Sequence, residues 1–305
     1  MRALQFLADP EPWPEPLPDD APELLKHLAT TPMALLELPD PPLLGDDWMV
    51  LRNRLTGICG SDSKQVLMDF DGSADNLMTA FISFPQVLGH EVVATVEATG
   101  PDAHGFEVGQ RVVLYPNLGC RPRGIMPLCP ACERGDYSIC WNFHSGRLSA
   151  GIHTGNAVEA TGGFADLVPA HTSMAYAVPD DIPDEVAVLA DPWSVSFHAI
   201  TRNPPAPGSK VVVYGGGALG STAATILAQL YPSVDVAVVA RHDAQATRAA
   251  ATGATVLQHE PGEELGGGAR RLVGRHPPSP VGGTPLLLPG PDRHRLRHRR
   301  LAAHV

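Results

Sequence analysis

Five cysteines hold the chemistry that is easiest to recognise in this 305-residue chain. Cys120, Cys129, Cys132 and Cys140 fall within 21 residues as C-x8-C-x2-C-x7-C. Four thiolates complete the tetrahedral shell of a zinc ion and leave no position for water, so such a site is structural. The C-x2-C core is the specific part, and disulfides or free thiols are the alternative. The fifth, Cys59, stands apart in Gly57-Ile58-Cys59-Gly60-Ser61-Asp62. With His90 of Gly89-His90-Glu91 and Asp191 of Leu189-Ala190-Asp191-Pro192 it offers a thiolate, an imidazole and a carboxylate. Three such ligands suit an open catalytic zinc with water or a substrate oxygen in fourth place, and Ser61 adds a hydroxyl nearby. Singly, each also reads as a buried thiol, a core histidine or a helix-capping aspartate.

A second kind of site starts at Gly215. Gly215-Gly216-Gly217-Ala218-Leu219-Gly220 fits G-x-G-x-x-G, a weak signal by itself. Here it leaves an apolar β-branched run, Lys210–Tyr214, and opens an Ala/Leu-rich run, Ala218–Leu230, as a dinucleotide turn does. Glycines admit a pyrophosphate to the backbone and the helix N-terminus holds it. Where such folds place an acid against the ribose hydroxyls, this chain has Ala240 followed by Arg241 and His242. That favours NADP over NAD, although Asp243 lies within reach of the ribose. Zinc that polarises an alcohol and nicotinamide that takes a hydride form a coherent pair.

Other elements must position these groups. Residues 1–7, Met33–Leu38 and Trp48–Leu55 read as strands, with a short helix near Pro22–Leu28. Ser63–Phe81 reads as helix or loop. Val87–Val113 reads as a strand pair with turns at Thr99–Asp102 and Gly105–Gly109. Strand character restarts at Gly162–Val168 and closes at Ala177–Pro179, and Pro183–Thr201 has helical spacing. Asn203–Gly208 is a linker. Beyond Lys210–Tyr214 and Ala218–Leu230 come a second parallel strand, Val234–Ala240, a helix at Asp243–Thr252 with Asp243 as N-cap, and a third strand at Ala254–Leu257.

Composition, 44% hydrophobic and 18% charged, fits a soluble globular protein. No window is apolar enough to span a bilayer, and the N-terminal apolar run is too short for a signal peptide. A cytoplasmic location is therefore expected, where clustered cysteines suggest metal. The net charge is −11, but residues 266–305 hold eight Arg against Asp292, a formal +7 that leaves −18 for residues 1–265. The acidic body argues against a nucleic-acid groove; a basic tail binding a polyanion is the rival reading of 266–305.

Taken together, Gly57–Asp62, Gly89-His90-Glu91, the four-cysteine lobe, Gly162-Gly163-Phe164-Ala165, Ala190-Asp191-Pro192 and the Gly215–Gly220 turn resemble the zinc-dependent medium-chain dehydrogenase/reductase family. That family includes alcohol, sorbitol and threonine dehydrogenases. The resemblance implies an α/β plus β architecture. A GroES-like antiparallel barrel catalytic domain (1–203, zinc lobe 119–141) precedes a partial Rossmann domain, part of a doubly wound parallel sheet (204–265), and an irregular, Gly/Pro/Arg/His-rich tail (266–305). It implies that Cys59, His90 and Asp191 hold the catalytic zinc and that Ser61 starts proton transfer. Asp62 and Glu91 fall on acids that orient ligands or, for Glu91, bind zinc. Cys120, Cys129, Cys132 and Cys140 fall on the structural zinc ligands. Gly215, Gly217, Ala218, Leu219, Gly220 and Arg241 would hold NADP or NAD, the substrate would be a small alcohol, aldehyde or ketone, and a homo-oligomer is usual.

Three departures stand out. Lys64 occupies a position where many members have a proton-relaying histidine. Eight residues, Arg121–Leu128, separate the first two lobe cysteines where two are usual. From about Gly266 the resemblance ends. The composition there suggests a frameshifted and prematurely ended second half, which would make an inactive homologue the alternative to an enzyme.

Overall fold

The structure is a computed structural model that describes residues 1–6, 17–67 and 81–258. Residues 259–305, with the expected irregular tail, lie outside the described residues, as do 68–80 within the expected Ser63–Phe81 segment. The elements in chain order are β1 (Arg2–Phe6), α1 (Glu23–Thr30), β2 (Met33–Glu37), β3 (Trp48–Gly57), α2 (Gly60–Val66), β4 (Gln86–Val87), β5 (Glu91–Thr99), β6 (Arg111–Leu114) and α3 (Pro130–Glu133). Next come β7 (Leu167–His171), β8 (Ala175–Ala177), α4 (Asp184–Ala187), α5 (Ala190–Arg202), β9 (Lys210–Tyr214), α6 (Ala218–Leu230), β10 (Asp235–Ala240), α7 (Asp243–Ala251) and β11 (Thr255–Gln258).

Alternating aliphatic residues make β3, β5 and β6 antiparallel strands with one face inward. They form a five-stranded sheet in the order β7-β3-β5-β6-β8. Met49, Leu51, Val92, Ala94, Val96, Val112, Leu114 and Val168 fill its core. A three-stranded sheet, β2-β1-β4, lies alongside, tied to the first by the Ala3–Ala165 bridge and by the Leu4 N–H donating to the Phe164 carbonyl at 2.8 Å. The β3–β5 register fixes the site, because it sets Gly57 opposite Glu91 at one end of the pair.

A parallel sheet of order β11-β10-β9 forms a separate layer. Its strands are joined by α6 and α7, the crossover that parallel pairing requires. Ala224, Val238 and Ala249 pack at its centre with Val213, Val236 and Val256. α5 connects the two regions: the Ser196 hydroxyl reaches Thr222 Oγ1 at 2.8 Å and the Leu219 carbonyl at 3.0 Å, which fixes α5 against α6. Among the described residues no helix is long and apolar enough to cross a membrane.

Three expectations need correction. Strand β7 begins at Leu167; Gly162–Phe164 instead donates to the carbonyls of Val87, Gly89 and Leu88 and links the two antiparallel sheets. The helical stretch over Pro183–Thr201 is two helices, because Pro192 has no N–H to give to the Val188 carbonyl and α5 must start within a turn of it. The N-cap of α7 is His242, and Asp243 lies in the first turn, where a carboxylate still complements the helix dipole.

Candidate active site

Cys59 lies between the end of β3 and the start of α2, and His90 and Glu91 stand where β5 begins. The backbone pairing of Gly57 with Glu91 therefore carries the Glu91 carboxylate toward Cys59. The Glu91 side chain folds so closely over Gly57 that a Cβ there would collide with its carboxylate oxygen. Ligand atoms of Cys59, His90 and Glu91 all lie within 4.8 Å of one another. Asp62, 4% exposed, braces this group from behind. Its carboxylate accepts the Cys59 N–H at 2.9 Å and the Gly89 N–H at 3.4 Å. It also stands 3.4 Å from His90 Nδ1, which has no formed hydrogen bond, so that contact is one of charge.

The side chains of this group perturb one another. His90 beside Cys59 holds the thiol below its ordinary value, against the opposing effect of burial. Burial disfavours the His90 imidazolium, yet Asp62 and Cys59 outweigh it and push the ring up to about 10. With His90 raised so far, a metal ion bound there would have to displace its extra proton. The thiolate, imidazole and carboxylate donors, the close spacing and the buried acid behind His90 all fit a zinc ion.

Asp191 is not in this group. It sits in the first turn of α5, where burial raises its carboxyl to about 6 within the field of His90, Glu91 and Asp62. It faces a cleft of about 820 Å³ that Tyr115, Tyr137, Tyr176, Ser194 and His198 also line. Ser61 opens α2 beside Cys59, and Lys64 is exposed on the same short helix. His153, which the sequence did not single out, lies against His90 with ring centroids 4.5 Å apart and planes tilted by 40°, and its Nδ1 is 2.8 Å from the Thr154 carbonyl. Burial lowers His153 to about 4.

The other four cysteines are buried, and their sulfurs also lie within 4.8 Å of one another. Cys120 and Cys140 sulfurs are 3.6 Å apart, and those of Cys129 and Cys140 are 3.9 Å apart. A disulfide would need about 2.05 Å. Four sulfurs at about 2.3 Å around a tetrahedral zinc are about 3.8 Å apart, which matches. Backbone N–H groups of Cys129, Cys132, Trp141 and Asn142 point at these sulfurs at 3.3–3.5 Å, as they would at thiolates. Burial opposes ionisation at Cys129, but the N–H groups of Trp141 and Cys132 bring it down to about 6; burial pushes Cys140 up to about 11 and raises Cys132 further. Four thiolates so placed need a cation between them, and the site fits zinc.

At the nucleotide turn, Gly215 follows β9 at φ +104°, and α6 starts after Gly217, which has no side-chain cap. A Cβ at Gly220 would strike the Gly215 carbonyl, so only glycine lets the helix approach the turn this closely. Ala218 and Leu219 supply the first N–H groups of α6. Ala240 ends β10; the Arg241 N–H donates to Gln245 Oε1 at 3.1 Å, and the Arg241 side chain is exposed at the strand's carboxyl end.

Comparison with known proteins gives a consistent result. Residues 45–180 match the alcohol dehydrogenase GroES-like domain. The (R,R)-butanediol dehydrogenase of Saccharomyces cerevisiae is 31% identical over 197 residues, 60% of this chain and 49% of that protein. The alcohol dehydrogenase TADH from Thermus sp. ATN1 has the same fold with a TM-score of 0.62 at 25% identity, covering 86% of this chain and 65% of that one. Residues 45–180 thus resemble an alcohol dehydrogenase GroES-like domain, and the chain is similar in sequence and fold to alcohol and polyol dehydrogenases. A zinc-binding dehydrogenase from Sinorhizobium meliloti 1021 solved with NADP is also similar, at 26% identity and a TM-score of 0.57, over 75% of this chain and 58% of that one. The chain spans about half the length of the curated relatives it matches.

Proposed function

We propose that this chain forms the metal- and nucleotide-binding part of a zinc-dependent oxidoreductase that interconverts an alcohol and its carbonyl compound with NADP or NAD. The observation that carries this is the Cys59–His90–Glu91 group, braced by buried Asp62, in one chain with a glycine turn that only a closely approaching helix explains. In this reading residues 1–203 are the catalytic part and 204–265 the nucleotide-binding part. Cys59 and His90 are fixed metal ligands and Glu91 is the third. Asp191 is a further carboxylate of the site, reached from the α5 side of the cleft.

Zinc bound there supplies Lewis-acid polarisation of the alcohol oxygen, and the nicotinamide supplies the hydride acceptor. The chain does the rest. Asp62 holds Cys59 and the Gly89–His90 backbone in register. Ser61 takes the alcohol proton and passes it to water, since the family resemblance puts a relay histidine where this chain has Lys64. The Gly215–Gly220 turn and the α6 N-terminus hold the pyrophosphate, and Arg241 favours a 2′-phosphate. The substrate is a small alcohol or polyol, in keeping with the names of the relatives. A panel of secondary alcohols and polyols, assayed by reduced-nicotinamide absorbance with NADP and NAD, tests this. Turnover that depends on Cys59 and prefers NADP is expected; turnover unaffected by Cys59→Ala would refute it.

A further inference from the structure

Of the eight residues between Cys120 and Cys129 only Pro122 and Arg123 turn inward, and Arg123 is 1% exposed. All five of its N–H donors are used, and every acceptor is a backbone carbonyl. Nε donates to Leu118 at 3.0 Å, Nη1 to Ser145 and Leu148 at 3.0 Å each, and Nη2 to Ser149 at 3.1 Å and Gly151 at 2.6 Å. No carboxylate is among these partners. Five carbonyls satisfy the donors but do not neutralise the charge, and a buried charge without a counter-ion costs several kcal/mol. Neutral donors would serve the same carbonyls with less desolvation.

The missing anion is close by. Burial holds the Arg123 guanidinium below its ordinary value, and the field of Cys140, Glu159 and Cys120 opposes that. Glu159 is exposed, and its carboxylate is taken by the Ser149 N–H and hydroxyl at 2.9 and 2.8 Å, so water screens it. The buried groups that become anionic when the lobe holds a metal are the cysteine sulfurs, and Arg123 is tied to their backbone: its Nε donates to the Leu118 carbonyl two residues before Cys120, and the Ile125 N–H donates to the Cys120 carbonyl at 2.9 Å. A zinc ion with four thiolates carries a formal −2, which is as costly to bury alone as the guanidinium.

We propose that Arg123 is the counter-charge of the four-cysteine centre, a positioning residue that raises the lobe's affinity for metal by offsetting the excess negative charge of the filled site. The inserted segment that makes the cysteine spacing irregular is, in this view, the device that carries that charge inward. The inference rests on the lobe binding zinc, and the two can fail separately.

The test uses the full chain with Cys59→Ala, so that the lobe is the strong site, loaded with cobalt and then titrated with zinc against a chelator. Wild-type lobe is expected to show sulfur-to-cobalt absorption; its absence would overturn the zinc reading itself. R123Q is expected to weaken zinc binding on the order of 10–100-fold, the usual effect of losing a partner of the ligand shell. R123K keeps the charge but not the planar fork and is expected to stay closer to wild type than to R123Q. Unchanged affinity in R123Q, or R123K as weak as R123Q, would overturn the proposal. If R123Q does not fold, R123K decides alone: a loss of about tenfold or more refutes the counter-charge role, and a smaller loss supports it.

Discussion

Asp62→Asn removes one negative charge from behind the metal ligands while keeping the side chain's shape. The Asp62 side chain is 5% exposed, so solvent does little to screen its interactions. Its bond to the Cys59 N–H is short at 2.9 Å, whereas that to Gly89 is long at 3.4 Å. A hydrogen bond to a charged acceptor contributes about 1.5–3 kcal/mol. Asn still accepts the Cys59 N–H through its amide oxygen, so the variant loses only the charge assistance, about 1 kcal/mol of support for the ligand arrangement, which is about a 5-fold loss of zinc affinity at 1.4 kcal/mol per tenfold. The assay is competition for zinc with a chromophoric chelator at neutral pH, with the lobe site filled in both proteins. Asp184→Asn serves as control, since it breaks a remote ion-pair network and leaves the site alone. An affinity for D62N within about threefold of wild type, or an equal loss in the control, would refute the idea that Asp62 organises the site.

Gly220→Ala places a methyl against the Gly215 carbonyl. It is expected to weaken NADP binding at least ~10-fold, read by quenching of protein fluorescence, because the turn must open to relieve a contact of this kind. Glu91→Gln is expected to reduce zinc affinity more than Asp191→Asn does, since Glu91 lies within the ligand group and Asp191 outside it; chelator competition on both variants decides the order. Asp184 is held below the usual carboxylate range by Arg54, at 2.7 Å, with help from Arg111 at 2.9 Å and against burial. Its folded value is depressed, so its stabilising effect is full above 3.8 and is lost as pH falls through the lowered folded value. Thermal melts of wild type and D184N should therefore differ at pH 7 and converge in acid; a gap that persists unchanged in acid contradicts this.

The sequence made the strands and the glycine turn plain because alternation and glycine spacing are local properties. Lys210–Tyr214, Ala218–Leu230 and Trp48–Leu55 are all close to their observed limits. The lobe cysteines were also legible, since four thiols so near in sequence have few ways to avoid one another. Which carboxylate stands beside Cys59 was not. Asp191 and Glu91 are equally suitable carboxylates in a string of letters, and only the cross-strand pairing of Gly57 with Glu91 puts one of them beside Cys59. Arg123 was hidden for a similar reason: nothing in Arg121-Pro122-Arg123-Gly124 marks one arginine as buried, and the five carbonyls that receive Arg123 come from Leu118 and from 145–151. His153 gave no sign at all, because a contact between two rings has no sequence spacing. The split between α4 and α5 could have been read from Pro192, which cannot serve the carbonyl four residues before it.

Metal content per chain, measured by elemental analysis on protein purified without chelator, tests the central claim most directly. Two zinc ions per chain are expected, falling to one in Cys59→Ala, because Cys59–His90–Glu91 and the four-cysteine lobe are independent sites. Protein that folds and holds no zinc at either site would contradict the account.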